Sequence, residues 1–151
     1  MANNYTNPFI MLRAAKEYKT SAQILSETST KYMCSDNEAE NHISISALMS
    51  SIVLYALSIE IGLKALIRLE GNAPNKNHNL KQLYDKLSED LKDKIKDELP
   101  EEGFKIYIDS YLEDNKNDFI DWRYHYEKPT AASSDFLAAF SQSIIKAGES
   151  F

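Results

Sequence analysis

The stretch ISISALMSSIVLYALSIEIGLKALIRLEG, from Ile43 to Gly71, limits what this chain can fold into more than any other. Ile45, Leu48, Ile52, Ala56, Ile59, Leu63 and Leu66 recur at steps of three and four, the period of an α-helix. Val53, Leu54, Leu57, Ile61 and Ala65 fill much of the remaining circumference. A helix apolar nearly all round is either the centre of a bundle or a membrane span. A span needs about 20 mostly uncharged residues. Glu60, Lys64 and Arg68 cut the run after Ala47–Ile59, which is too short. The expectation is therefore a buried helix in a soluble bundle, with no membrane contact.

Two details of this helix bear on packing and chemistry. Ser51, Ser58 and Gly62 fall on one narrow strip, where small side chains let a neighbouring helix approach closely. Glu60 and Lys64 are spaced i, i+4 and can meet on the helix surface. By helical angle Glu60 lies beside Val53, Leu57 and Ile67, on an apolar face. A carboxylate there needs a partner, because burying it unpaired is costly. An ion pair with Lys64 or another cation is one reading; orienting a site residue is the other.

A chain of 151 residues is one domain of ordinary size and can bury a core without staples. Four Gly and four Pro argue for few turns and much helix. The single cysteine, Cys34, excludes an intramolecular disulfide and fits a reducing cytosol, so a cytoplasmic location is expected. The start, MANNYTNPF, has neither a charged head nor an apolar signal core. A net charge of −6 opposes non-specific binding to nucleic acid but leaves room for a local basic site.

Along the chain, Asn7-Pro8 opens a first helix with a stripe of Met11, Ala15, Tyr18, Ala22 and Leu25, running to about Ser29. Residues 30–42 form an acidic polar connector, with His42 as a helix-start residue. No ligand partner stands near His42 at metal spacing, so no metal is expected. Gly71 closes the central helix. His78-Asn79 precedes a third helix with the stripe Leu80, Leu83, Tyr84, Leu87, Leu91 and Ile95. Phe104, Tyr107, Ile108 and Tyr111 suggest a fourth, after a break at Pro100 and Gly103. A last helix carries Phe136, Leu137, Phe140 and Ile144, capped at Ser133 or Ser134. No stretch alternates with period two, so no sheet is expected. The fold class is all-α: an up-and-down bundle of about five helices around a long central one at 43–71, in a single domain, 1–151.

Three separated pieces then agree with one family: Glu60-x-x-x-Lys64 in a long helix ending Leu69-Glu70-Gly71, His78-Asn79-Leu80 opening the next helix, and Phe119-x-x-Trp122-Arg123-Tyr124-x-Tyr126-Glu127. In this order and spacing the chain resembles the HEPN superfamily over roughly residues 43–127. The resemblance implies an all-α bundle that forms a homodimer and needs no cofactor. Many members are metal-independent endoribonucleases of toxin–antitoxin or phage-defence systems. Others bind RNA or nucleotides without cutting, or work beside a cognate partner protein. The ribonucleases carry an Arg, four to six residues, then a His, supported by the Glu-x-x-x-Lys pair.

Carried onto this chain, the catalytic candidates are Arg123 and His125, with Glu60, Lys64, Tyr124, Tyr126 and Glu127 as supporting or binding residues. Arg would stabilise charge on a phosphate and His would handle a proton. Here one residue separates Arg123 from His125, and on a helix residues two apart point to nearly opposite sides. Trp122 through Tyr126 can stack on RNA bases, and Phe119, Trp122 and Tyr126 also have the spacing of a core face. Arg123 can pair with Glu127 or with Glu60. Three functions stay open: a HEPN-like domain that binds RNA or nucleotide, a ribonuclease, and a non-catalytic interaction module.

Overall fold

The computed structural model describes residues 7–116 and 134–151. Among them are seven α-helices and no strand. They are α1 (Pro8–Tyr32), α2 (Glu38–Leu69), α3 (Leu80–Asp85), α4 (Glu89–Asp97), α5 (Glu102–Ile106), α6 (Ile108–Asn115) and α7 (Ser134–Glu149). The fold is an all-α bundle around one long helix, as the periodicity predicts. α1 and α2 form an antiparallel hairpin, and α7 packs on α2, α1 and α4.

The central helix starts earlier than its apolar run. Asn37 caps it, its side-chain oxygen accepting from the Ala39 and Glu40 amides at 2.9 and 3.2 Å. His42 therefore lies inside the helix and is not its cap. Glu38 and Glu40 occupy the first turn, where the helix dipole favours negative charge. The connector shrinks to 33–37, and α1 continues to Tyr32, beyond Ser29. At the other end Gly71 sits at φ +82°, the left-handed conformation that glycine adopts without cost. Its amide bonds to Arg68 O at 2.9 Å and the Asn72 amide to Ile67 O at 3.0 Å, the paired bonds of a Schellman stop.

With its extra turns α2 is, by length and composition, apolar enough to cross a membrane, and half of its most apolar stretch is buried in the bundle. That buried part packs against Leu80, Leu83, Tyr84, Ile95, Phe136, Phe140 and Ile144, all at most 2 % exposed. Rings tie the short helices to α7: Tyr111 stacks on Phe136 at 4.7 Å, Phe136 on Phe140 at 5.3 Å, and Tyr84 meets Phe140 edge-on at 5.7 Å.

Two expected helices are each split. The stripe from Leu80 to Ile95 is buried throughout, but Ser88 interrupts it. Its hydroxyl caps α4 by accepting from the Leu91 amide at 3.3 Å, and its own amide donates to the Glu70 carboxylate. Tyr107, at φ −104° and ψ 19°, likewise separates α5 from α6. Gly103 lies within α5 and breaks nothing.

The strip of small residues does what its spacing implies. Ser58 Oγ donates to Ala15 O on α1 at 2.7 Å. A Cβ built on Gly62 would stand 2.6 Å from Ile144 Cγ2 and 3.8 Å from Ala15 Cβ. Gly148 comes equally close to Leu12, but there the neighbours are the tips of a flexible side chain. The Ile144 methyl is fixed directly to its Cβ and moves only with the whole rotamer. Gly62→Ala gains about 1 kcal/mol of helix propensity and meets about 1–3 kcal/mol of overpacking. Urea unfolding should show a net loss of stability for Gly62→Ala and a smaller change for Gly148→Ala; the reverse order would refute this packing.

Candidate functional site

α2 presents Glu60, Lys64 and Arg68 one turn apart on neighbouring positions of its surface. The loop after Gly71 folds back across this surface and is tied down at both ends. Near its start, Glu70 receives the Ser88 amide. At its end, the Asn79 side chain caps α3 by accepting from the Gln82 amide at 3.0 Å, and the Leu80 amide donates to Lys116 O at 2.8 Å. Asn77 adds a bond from Nδ2 to Gln82 Oε1 at 2.6 Å. These ties put His78 over α2.

The result is one buried carboxylate oxygen with two nitrogen partners. Glu60 Oε1 accepts from Lys64 Nζ at 2.7 Å and lies 2.9 Å from His78 Nδ1. The Glu60 side chain is 6 % exposed, Lys64 18 % and His78 47 %, so the pair is buried and the imidazole borders solvent. A carboxylate only accepts, so the ring nitrogen that faces it carries the proton. That fixes Nδ1 as the donor and leaves Nε2 as acceptor in the neutral ring or donor in the charged one. Glu60 Oε2 is buried without a hydrogen bond among the described residues, and so is Arg68 Nε two turns further on.

Such a cluster can hold a polar, anionic ligand. Lys64 and Arg68 supply positive charge, and a charge in a partly desolvated place acts more strongly than one in water. His78 closes the cluster on its solvent side. Glu60 itself is the fixed anchor that orders both neighbours. Among the described residues no group of three His, Cys, Asp or Glu side chains could hold a metal ion.

Of the residues singled out in the sequence, Glu60 and Lys64 meet as their spacing predicts. His78, which precedes the third expected helix, joins them, and Asn79 is that helix's cap. Loop closure across 18 residues brings His78 to Glu60, which no local period reveals. The one available signal was that a carboxylate on an apolar face demands partners. His42 stands 3.9 Å from Glu38 on the exposed start of α2. Arg123, Tyr124, His125, Tyr126 and Glu127, with Trp122 and the expected Arg123–Glu60 bridge, lie outside the described residues.

Removing Glu60 strands the Lys64 ammonium in a mostly buried place, which costs roughly 2–3 kcal/mol. Glu60→Ala should lower the unfolding free energy measured in urea by that amount. Arg13→Ala, which breaks an exposed i, i+4 pair with Glu17, should leave it unchanged. Equal effects would mean that the Glu60 pair is no more desolvated than a surface one.

No protein-family model matches this chain, no curated protein matches it, and no solved structure matches it.

Proposed function

We propose that this chain is a HEPN-like helical domain that binds RNA or a nucleotide at the Glu60–Lys64–His78 cluster, in a bacterial defence or toxin–antitoxin setting beside a cognate partner protein. The observation that carries this reading is the meeting of two motif pieces, 18 residues apart in sequence, at a single buried carboxylate oxygen. Lys64 and Arg68 supply charge for phosphate. The sequence run from Trp122 to Tyr126 holds aromatic and basic residue types suited to stacking on bases. The binding is local, because a net charge of −6 gives the chain no general affinity for polyanions.

A second reading is a metal-independent ribonuclease using Arg123 and His125. The ordered imidazole of His78 favours it to one extent: it is a second proton-handling group, held by a fixed acceptor. In that chemistry a base takes the ribose 2′-hydroxyl proton and the oxygen attacks phosphorus. The bond to the 5′-oxygen then breaks, and that oxygen is protonated as it leaves.

Both readings are tested on single-stranded RNA, tRNA and ribosomal RNA with EDTA present. Binding is followed by fluorescence anisotropy and cutting by gel. Wild-type protein should bind with an affinity that falls as salt rises. Lys64→Ala should weaken binding several-fold, about 1 kcal/mol for one phosphate contact. Cutting abolished by Arg123→Ala and His125→Ala would establish the ribonuclease. No affinity for any RNA or nucleotide would overturn both and leave an interaction module.

A further inference from the structure

The start of α1 and the end of α7 lie side by side and leave a hollow between them. The two helices run antiparallel, with Lys16 bonded to Glu149 and Lys19 to Gln142. Phe9, Leu12 and Lys16 share one face of α1, and Ile145, Gly148 and Glu149 share one face of α7. These faces enclose a pocket of about 310 Å³. Leu12 and Ile145 are its floor, 7 and 3 % exposed. Gly148 lets that floor close, since a Cβ there would stand 2.6 Å from the Leu12 methyls. Phe9 and Phe151 are its walls, and they remain 59 and 56 % exposed. Two half-bare phenyl groups beside one apolar hollow mark a contact surface. The volume is that of a small-ligand site.

We propose that this pocket binds a small aromatic carboxylate, its ring system between Phe9 and Phe151 and its charge on Arg13 and Lys16. Charge selects the class. The chain as a whole carries −6, yet the mouth of the pocket gathers cations. Arg13 and Lys16 line it, and Lys94 Nζ stands 5.6 Å from the centre of the Phe151 ring. Against these three stand two carboxylates, Glu17 on Arg13 at 3.4 Å and Glu149 on Lys16 at 3.0 Å, which leaves one positive charge over. Lys19, one turn from Lys16, adds to the crowding: burial, and then the charge of Lys16, holds its ammonium below the usual range. Both ion pairs at the mouth are exposed, so they hold weakly and can exchange for a ligand carboxylate.

Other occupants fit less well. The second charge of a phosphate monoester would meet Glu149, which already competes for Lys16. A cation is opposed by the excess positive charge at the mouth. A partner helix, about 10 Å across, is too thick to enter a hollow of this volume. A flat ring system suits the walls, because phenyl groups pack on aromatic faces and edges at a gain beyond area alone. Glu149 then acts as the internal competitor of the ligand: it holds Lys16 when the pocket is empty and yields it when a carboxylate arrives. The pocket shares no residue with the Glu60–Lys64–His78 cluster, so this inference does not rest on the RNA-binding reading.

The test is calorimetric titration of the full chain with naphthoate, its neutral isostere naphthamide, and naphthyl phosphate. Naphthoate should bind saturably and about five-fold more tightly than the amide, the worth of one charge pair near solvent. Lys16→Ala should erase that preference. Glu149→Gln should raise naphthoate affinity about two-fold, because Lys16 loses its internal partner. Phe9→Ala should weaken naphthoate and naphthamide alike. All three positions are exposed, so the variants should keep the wild-type circular dichroism. In methyl NMR spectra the Leu12 and Ile145 signals should shift on binding while those of Leu25 stay in place. Absence of saturable binding overturns the site, including the case in which the chain pellets with phosphatidylcholine vesicles and the phenyl groups serve lipid instead. Equal affinity for the amide, or tighter binding of the phosphate, refutes the monoanion class. Weaker binding by Glu149→Gln refutes the competition for Lys16. Shifts that spare Leu12 and Ile145 refute the location.

Discussion

A helix that is apolar on nearly every side has to be covered on nearly every side, and most of this structure answers that demand on α2. Its small strip is met by α1 and α7, close enough that Gly62 has no room for a methyl group. α3 and α7 also pack on it, and rings of α3, α5, α6 and α7 join one another in the same core. The short helices contribute Leu83, Tyr84, Leu91, Ile95 and Leu112 to the same core, and none of them has the length to be stable alone. In the N-terminal half of α2, Ile43, Ile45 and Leu48 stay 44, 59 and 39 % exposed.

Glu60 is the exception that the apolar surroundings make expensive. A carboxylate 6 % exposed persists because Lys64 and His78 converge on one of its oxygens. The pairing also does structural work, since it fastens the loop between α2 and α3 to the helix it leaves. Replacing the cluster by well-packed apolar residues would be neutral or favourable for stability. In the proposed reading, the charge on Lys64 and Arg68 beside it serves a ligand.

Much of the fold was legible because the stripes are strong and periodic. Leu80 to Ile95 and Phe136 to Ile144 are buried as their spacing requires. Asn7, Asn79 and Gly71 act as the stop and start signals their types suggest. The division at Ser88 was hidden because the apolar stripe runs through it. A cap needs a partner from elsewhere in the chain to win over helix continuation, and Glu70 is that partner. The start of α2 was hidden for the opposite reason. Asn37 to Asn41 is polar, and its helix rests on capping and dipole rather than burial. Within the site, the Glu60–Lys64 contact is local and readable. The approach of His78 is set by loop closure, which leaves no period in the sequence.

The most direct measurement of the account is amide hydrogen exchange on the full-length protein, with and without saturating RNA. A ligand held by Lys64, Arg68 and His78 should slow exchange in peptides covering residues 60–85, the loop to His78 above all, and leave the α1 and α7 termini unchanged. Protection confined to other segments, or none at saturating RNA, would contradict the placement of the site on α2.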